Sequence, residues 1–395
     1  MPADQNNWNE KTWLHRFAIL AVSLVITTGT AISPALPAMQ KAFSNYPATL
    51  VNMVATIQQI PAFIVLLMSA PLARKFGLKQ MIGLGILLMG ISGILPAFVP
   101  NLWFILGTRI IFGIGIGLIN SLAITIVNIF YSGNDKAQMM GNRTSFETIG
   151  LCIVNILVGQ LLNLSWQVSF LAYFFILIIL VLFWRVVPTI KWDNPVDKNG
   201  KQQAEKVNFP VIMAGVFCAI MTMGLATVSV MTPAIVVDGK LGSATDASFV
   251  ITVFTLVSMA MGFLFGQFFK LFHRFVLPIG LLFFTVGLLI MNFSQSLVML
   301  LIGEIIVGGA FPLAGTYIFD IIDKLAPKNS NALANSVLLV GCNVGTAISP
   351  IVMGFLNPIS PFSGAQPGIG LFGALIGIMM VIIFIVQLFK RAPKK

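Results

Sequence analysis

Charged side chains are rare within the long apolar stretches of this chain, and those that occur there are its strongest candidates for chemistry. Arg109 is the one charged residue between Trp103 and Ser121. An arginine at mid-membrane depth costs about 2.5 to 3.5 kcal/mol, whereas each Leu, Ile or Phe returns about 0.3 to 0.6 kcal/mol. This segment contains ten such apolar residues and can therefore enter a membrane despite Arg109.

Two carboxyl groups in other apolar segments add the possibility of proton chemistry. Glu304 lies eight residues into its predicted helix, with Gly308 and Pro312 on the same helical face. Glu147 follows Arg143 by four residues, a spacing that lets the two pair on one face of a helix. Two interpretations of each carboxyl group stay open. Glu147 either pairs locally with Arg143 or carries a proton, and Glu304 either pairs locally near the outer interface or lines a cavity.

The composition places the chain in a membrane. Of its 395 residues, 57% are hydrophobic and 9% are charged, and the mean hydropathy is +0.96, all far from the values of soluble domains. The net charge of +11 then reports orientation in the membrane, and no nucleic-acid partner is expected. Three cysteines, far apart in apolar segments, predict neither a disulfide framework nor a metal site.

Twelve apolar segments are each long enough to be a transmembrane helix, which needs about 20 apolar residues. Short loops with Pro, Gly, Asn or charged residues separate these predicted helices, numbered 1 to 12. The segments occupy residues 14–38, 50–73, 80–98, 102–130, 141–163, 167–188, 208–233, 246–269, 275–293, 296–322, 331–356 and 368–389. The predicted fold class is an all-α membrane protein.

The longest polar stretch inside the chain divides the helices into two sets of six. It reads KWDNPVDKNGKQQAEKV and covers residues 191–207. We therefore predict an N-terminal bundle over residues 1–190, a cytoplasmic linker over 191–207 and a C-terminal bundle over 208–395.

The distribution of basic residues predicts the orientation. If both termini are cytoplasmic, 20 of the 23 Lys and Arg residues lie at cytoplasmic loops, tails or helix ends, as the positive-inside rule expects. The three exceptions are Lys41 and Lys240, which lie on the external side of the membrane, and Arg109, which lies within a transmembrane helix.

An internal repeat relates the two halves. A shift of 195 residues superposes helices 4 and 5 on helices 10 and 11 without a gap, so that Arg109 aligns with Glu304 and Gly150 with Gly345. Two parallel six-helix repeats are a plan that some secondary transporters use to build a central substrate site. An ion pair of Arg109 with Glu304 between the halves would offset their desolvation and break when a proton or substrate binds.

Helix 4 carries small and polar residues on one face, namely Gly113, Gly117 and Asn120 counted from Arg109. These glycines, like Gly308, either let helices approach closely or line an aqueous cavity. Arg109 either pairs with a neighbour or faces that cavity.

Prolines predict where helices bend. Pro34 and Pro37 in helix 1 and Pro233 in helix 7 each remove one backbone hydrogen bond. Bends at these residues are suited to a rocking motion.

The loop after helix 2 reads APLARKFGLK, from Ala70 to Lys79, and is similar to the signature G-x-L-A-D-R-x-G-R-K of the major facilitator superfamily. Arg74 stands at the acidic position of that signature, so the acidic contact of the family is not carried over. The residues that match in identity or charge are Leu72, Ala73, Lys75, Gly77 and Lys79.

Helix 4 begins RIIFGIGIG at Arg109 and resembles the second signature of the same family, an arginine followed by spaced glycines. The resemblance covers essentially the whole chain. It implies two pseudo-symmetric six-helix bundles that rock about a central cavity. It also implies a gating loop formed by Leu72, Lys75, Gly77 and Lys79.

Other functional classes fit the sequence poorly. A membrane enzyme needs converging nucleophiles, bases or metal ligands, and the two histidines both lie at predicted cytoplasmic helix ends. The sequence has no H-E-x-x-H motif and no phosphate-cradling G-x-x-x-x-G-K-[ST] loop. A channel usually has a short re-entrant filter segment, which is not apparent. We therefore expect a carrier without enzyme activity, metal or cofactor, driven by a proton gradient.

The resulting hypothesis is a proton-coupled secondary transporter that exports amphipathic organic molecules. Arg109, Glu304, Glu147, Asn120 and Arg143 would serve substrate binding or proton coupling. The alternative is a carrier or facilitator for a small anionic or zwitterionic metabolite, with Arg109 holding a carboxylate; sodium coupling also stays open. The similarity to bacterial drug:proton antiporters implies a monomer in the bacterial cytoplasmic membrane, with a small-molecule substrate and the lipid bilayer as its partners.

Overall fold

A computed structural model describes residues 13–131, 133–188, 207–327, 331–364 and 366–389, and the regular structure of this part of the chain is helical, without strands. We label the helices α1 to α12 in the order of the predicted segments. Their bounds are Trp13–Ala21 with Leu36–Ala42 (α1), Ala48–Asn52 with Gln59–Phe76 (α2), Leu78–Ile94 (α3), Leu102–Phe130 (α4), Gly133–Leu161 (α5), Trp166–Ser169 with Phe174–Val186 (α6), Phe209–Asp238 (α7), Ala244–Phe272 (α8), Val276–Asn292 (α9), Leu297–Leu325 (α10), Asn331–Ile359 (α11) and Pro367–Phe389 (α12). Short 3-10 turns lie between the two parts of α1, α2 and α6.

The helices have the length and composition of membrane spans. Among the described residues, nine helices are long and apolar enough to cross a bilayer, and the two parts of α1 form one further, bent candidate. Ser145–Leu161 in α5 and Val276–Asn292 in α9 are shorter apolar helices. Each predicted segment thus has a helical counterpart, and the chain is an all-α, multi-pass membrane protein.

The chain divides into two compact units. The first comprises Met1–Phe43 and Met53–Gln203, and the second comprises Ser44–Asn52 and Ala204–Lys395. The start of α2 thus belongs to the second unit, where Thr49 packs against α11: a Cβ atom added to Gly354 would lie 2.6 Å from the Thr49 hydroxyl oxygen.

The predicted domain boundaries differ from this division at the start of α2, which the predicted N-terminal bundle over residues 1–190 includes. Apart from Val207, the predicted linker over 191–207 lies outside the described residues. The linker and its boundaries stay a prediction.

The repeat is visible in α4 and α10, which have the same length of 29 residues. The side chain of Asn101 caps α4 by accepting a hydrogen bond from the backbone N–H of Trp103 at 3.0 Å. Ser296, 195 residues later, caps α10 by accepting one from Met299 at 3.2 Å. Capping groups at equivalent positions satisfy backbone donors that the first turn leaves unpaired.

A pair of equivalent hydrogen bonds joins the first and fifth helices of each unit. The Thr27 hydroxyl donates to the carbonyl oxygen of Glu147 at 2.9 Å. The Thr222 hydroxyl donates to the carbonyl oxygen of Cys342 at 3.0 Å. Both donor and acceptor are shifted by 195 residues, so the repeat preserves the contact although Glu147 and Cys342 differ chemically.

Glycines allow these helices to approach closely in both units. A Cβ atom added to Gly150 in α5 would collide with the backbone of Leu24, and one added to Gly345 in α11 would collide with that of Ala219. Leu24 and Ala219 are again 195 residues apart. The repeat seen in the sequence therefore reflects the same helix packing in each unit.

The break in α1 lies before the prolines that were expected to cause it. Trp13–Val25 and Thr28–Ala42 are inclined by 47° to each other. Pro34 lies after the break, in the 3-10 helix Thr28–Ala35, where the Ser33 hydroxyl donates to the Thr30 carbonyl oxygen at 2.6 Å. Pro34 has no backbone N–H and so donates no hydrogen bond to this 3-10 helix. Helix α7 runs through Pro233 as a single span.

The loop after α2 and the loop after α8 each contain a residue in the left-handed region of backbone conformation. Gly77, between α2 and α3, has φ +97° and ψ +141°. His273, between α8 and α9, has φ +49° and ψ −120°. Glycine adopts positive φ without a Cβ clash, whereas a histidine there stores strain of about 1 to 3 kcal/mol.

The strain predicts opposite effects of substitutions in the two loops. We expect His273→Gly to unfold at a higher temperature than His273→Ala, because both lose the imidazole but only glycine relieves the backbone. Gly77→Ala should lower the midpoint by introducing the same strain. Thermal unfolding of the purified protein in detergent tests both; a His273→Gly variant less stable than His273→Ala would contradict the argument.

Candidate functional site

Arg109 lies at the eighth position of α4 and is completely buried within the first unit. Its guanidinium carbon lies 4.7 Å from the ring centre of Tyr173, 5.0 Å from that of Phe170 and 5.3 Å from that of Phe112. A cation within about 6 Å of an aromatic face is attracted by the ring, most strongly where water is excluded. The three rings, here called the aromatic cage, thus offset part of the lost hydration of Arg109.

The aromatic cage is fixed by contacts to α1 and within itself. The Tyr173 hydroxyl donates to the Thr28 carbonyl oxygen at 3.2 Å, just after the break in α1. The rings of Phe112 and Tyr173 meet edge to face, with centres 5.3 Å apart. The break in α1 therefore exposes a carbonyl group that holds one wall of the cage.

The guanidinium of Arg109 keeps unused hydrogen-bonding capacity. Within the part of the chain that the structure describes, none of its three buried nitrogens makes a hydrogen bond of ordinary geometry. A buried unsatisfied donor costs about 1 to 3 kcal/mol, and more when it is charged. The arrangement suits a ligand with a carboxylate, which a guanidinium can bind through two parallel hydrogen bonds.

The glycines that follow Arg109 pack α4 against α2. A Cβ atom added to Gly117 would lie 2.5 Å from the carbonyl oxygen of Ala62, and one added to Gly113 would lie 2.6 Å from a ring carbon of Pro61. Both residues are buried. Of the two interpretations of this face, close helix packing describes the glycines in this structure.

Arg143, Glu147 and Asn120 form a second polar group in the first unit. The Arg143 Nη2 atom lies 2.6 Å from Oε1 of Glu147, the ion pair that their spacing predicts. The same nitrogen donates to Oδ1 of Asn120 at 3.2 Å and so links α5 to α4. The side chains of Arg143 and Glu147 are only 11% and 18% exposed. A charge left alone here would be poorly hydrated.

Removing one partner of this ion pair should therefore destabilise the protein more than removing both. We expect Arg143→Leu to lower the free energy of unfolding by about 1 to 3 kcal/mol, because it leaves the Glu147 carboxylate unpaired. Adding Glu147→Leu to this variant should recover part of the lost free energy of unfolding. Thermal or denaturant unfolding in detergent measures the cycle; simple additivity of the two single effects would rule out the coupling.

Glu304 occupies the eighth position of α10 and is completely buried in the second unit. The Thr232 hydroxyl, on α7 beside Pro233, donates to its Oε1 atom. Its Oε2 atom is buried and makes no hydrogen bond with any described residue. The carboxyl group thus has one neutral partner and one free oxygen.

Gly308 packs α10 against α8 one turn after Glu304. A Cβ atom added to Gly308 would lie 2.8 Å from the carbonyl oxygen of Phe254, and the Ser258 hydroxyl donates to the Gly308 carbonyl oxygen at 2.8 Å. Gly113 in α4 is its equivalent at a shift of 195. Each unit therefore holds the helix with the buried charge against its neighbour in the same way.

The residues assigned to the gating loop lie around the junction of α2 and α3. Lys75 is exposed, with its Nζ atom 5.3 Å from the ring centre of Phe76. Gly77 provides the turn, and Leu72 is partly buried in the last turns of α2. The Nζ atom of Lys79 lies 5.3 Å from the ring centre of Trp184 on α6. The side chain of Arg74 lies outside the described residues.

The structure brings together Arg143, Glu147 and Asn120, whereas Arg109 and Glu304 belong to different units and their pairing stays a prediction. Sequence reasoning missed the aromatic cage and Thr232. The spacing of Arg109 to Phe112, and of Phe170 to Tyr173, is three residues in each case, which places each pair on one helical face. Thr232 carries no such local signal, because its partner lies 72 residues away.

Metal ligation has no apparent basis in the described part of the chain. Within it, no three His, Cys, Asp or Glu residues are close enough to hold a metal ion together. The candidate polar groups of the two units are instead the guanidinium groups of Arg109 and Arg143, the carboxyl groups of Glu147 and Glu304, and neutral hydroxyl or amide groups.

Comparison with known families gives matches over nearly the whole chain. The model of the family described as the Major Facilitator Superfamily matches residues 18–236 and 212–395. Over 161 residues, the chain is 26% identical to the bacillibactin exporter of Bacillus subtilis (strain 168), a match that covers 39% of this chain and 40% of the exporter. The matched part thus spans about two fifths of that relative.

Solved structures share the fold at low sequence identity. A mutant of the nucleoside transporter NupG is 13% identical, with a TM-score of 0.76 over 95% of this chain and 100% of that chain. The inward-open xylose transporter XylE from E. coli is 15% identical, with a TM-score of 0.75 over 96% of each chain. Such similarity establishes the fold alone.

Proposed function

Because this chain belongs to the Major Facilitator Superfamily, we propose that it is a secondary active transporter that couples proton entry to the export of amphipathic organic molecules. The family, the helical fold and the repeated helix packing support movement of a solute by alternating access. The sequence motif for binding ATP phosphates is absent, so the energy would come from a proton gradient. No bound cofactor is part of the proposal.

The main support for proton coupling is the environment of the Glu304 carboxyl group. It is completely buried, and its one hydrogen-bond partner among the described residues is the neutral hydroxyl of Thr232. An ionised carboxylate without a cationic partner is costly away from water. We infer that Glu304 binds a proton when its site is closed and releases it when water reaches the free oxygen.

The direction of transport is supported by similarity to an exporter. The bacillibactin exporter shares 26% identity over two fifths of its length, which favours export without identifying the solute. The apolar character of the helices around both buried charges suits amphipathic solutes better than strongly polar ones.

Arg109 supports a second candidate, a carrier for a small anionic or zwitterionic metabolite. Its guanidinium nitrogens are buried and make no hydrogen bonds of ordinary geometry with described residues, while the aromatic cage holds the group in place. A carboxylate would satisfy two of these donors at once. Either candidate uses Glu304 for the proton.

Inverted membrane vesicles with an acidic lumen distinguish the candidates. Substrate added outside should drive protons out of the lumen, which a lumenal pH dye records. A response to lipophilic cations that persists in Arg109→Ala supports the exporter, whereas a response confined to anions or zwitterions and lost in Arg109→Ala supports the metabolite carrier. No response to any solute would contradict proton coupling.

Glu304→Gln should abolish pH-driven transport and leave exchange of preloaded substrate, because glutamine fills the same space without carrying a proton. Asp246→Asn is the matched control, since Asp246 caps the start of α8 with Ser243. Glu147→Gln shows whether the proton is carried by Glu147 or by Glu304. pH-driven transport that survives in Glu304→Gln and disappears in Glu147→Gln would assign the proton to Glu147 instead.

We further propose that the protein resides in a bacterial cytoplasmic membrane with both termini inside, because 20 of its 23 Lys and Arg residues then lie on the cytoplasmic side. A fluorescent protein fused after Lys395 should fluoresce, and alkaline phosphatase fused after Lys240 should be active, since the latter requires an oxidising exterior. The reverse pattern would overturn the orientation.

A further inference from the structure

A groove with a volume of about 580 Å³ runs along the outer face of the first unit, between α3 and α6. Its walls are apolar and uncovered by protein, with Leu84 41%, Val181 55% and Trp184 50% exposed. The remaining lining residues are Gln80, Gly83, Leu87, Leu180 and Arg185. In a membrane-embedded helix, such exposed apolar side chains face the acyl chains of the bilayer.

Gly83 gives the groove its shape. A Cβ atom added there would lie 2.8 Å from Cε3 of Trp184, so the indole ring lies directly over the glycine backbone. Any larger residue would push the ring aside. The groove is therefore bounded at this end by a tryptophan in a defined position, which is a residue type enriched at membrane interfaces.

Two positive charges stand at the same end of the groove. Arg185 is exposed and lines it one residue before the end of α6. Lys79, one residue after the start of α3, holds its Nζ atom 5.3 Å from the ring centre of Trp184. Among the described residues that line the groove, none is acidic. The groove thus has a cationic end, a polar amide from Gln80 and an apolar body.

This combination selects a ligand with an anionic head and an extended apolar tail. From Gln80 to Leu87, α3 rises about 10 Å, which gives an apolar wall for part of one acyl chain. Basic pockets between membrane helices on the cytoplasmic side bind anionic lipid head groups. A free phosphate ion would use only the cationic end and leave the apolar walls without a role.

We propose that the groove between α3 and α6 is a binding site for an anionic phospholipid. Its phosphate lies between Lys79 and Arg185, and one acyl chain lies along Leu84, Leu87 and Val181. The opening of the groove toward the bilayer lets the lipid enter sideways. The site lies outside the groups assigned to substrate and proton and shares only Lys79 with the predicted gating loop. Lipid binding can therefore be measured without transport.

Quenching of tryptophan fluorescence by brominated lipids tests the site on the full-length protein in vesicles. The chain has six tryptophans, so the Trp184 signal is the difference between the wild type and Trp184→Phe. At equal mole fraction in phosphatidylcholine vesicles, brominated phosphatidylglycerol should quench this signal at least about twofold more than brominated phosphatidylcholine does. Equal quenching by the two lipids would overturn the proposal.

Charge substitutions identify the groups that create the preference. Lys79→Gln with Arg185→Gln should make the two lipids equivalent, whereas the charge-matched pair Lys240→Gln with Lys270→Gln should keep the preference. A preference that persists in the first pair contradicts the assignment of the phosphate. Loss of the preference on adding inorganic phosphate at low millimolar concentration would show that the cationic end binds a free anion, which also overturns the lipid proposal.

Discussion

The structure depends on one constraint: inside a membrane, a polar group that finds no partner in the protein finds none in the lipid. The break in α1 illustrates how this constraint propagates. After the break the chain continues as a 3-10 helix, and the Tyr173 hydroxyl donates to the carbonyl oxygen of its first residue, Thr28. Because the ring of Tyr173 also contacts the Arg109 guanidinium, a backbone irregularity in the first helix positions the surroundings of a buried charge in the fourth.

The two repeats share the same helix packing but differ in the chemistry of their side chains. Equivalent threonines donate to equivalent carbonyl groups, of Glu147 and of Cys342, although one side chain belongs to an ion pair and the other is a thiol. The reason is that the acceptors are backbone carbonyl oxygens, which are present whatever side chain the accepting residue carries. Arg109 and Glu304 likewise hold equivalent positions, yet one lies in an aromatic cage and the other accepts from a hydroxyl. Divergence of the side chains leaves each unit free to specialise.

Glycine has two different uses in this fold. In the helices, residues such as Gly117 and Gly345 remove a side chain where two backbones meet. In the loop after α2, Gly77 is needed for its positive φ instead. The loop between α8 and α9 also contains a residue with positive φ, but there it is His273, whose side chain makes that conformation strained. Close packing and backbone freedom thus account for glycines that look alike in the sequence.

The amino-acid sequence by itself determined the membrane class, the twelve helices, the repeat and the pairing of Arg143 with Glu147, because hydropathy, a constant offset and a spacing of four residues are all read along the chain. The tertiary structure alone decided that α1 breaks between Val25 and Thr28, before Pro34, and that α7 continues through Pro233 as one helix. It also decided the partners of the buried charges. Tyr173 and Thr232 lie 64 and 72 residues from Arg109 and Glu304, and no local pattern encodes which distant side chain packing will bring into contact.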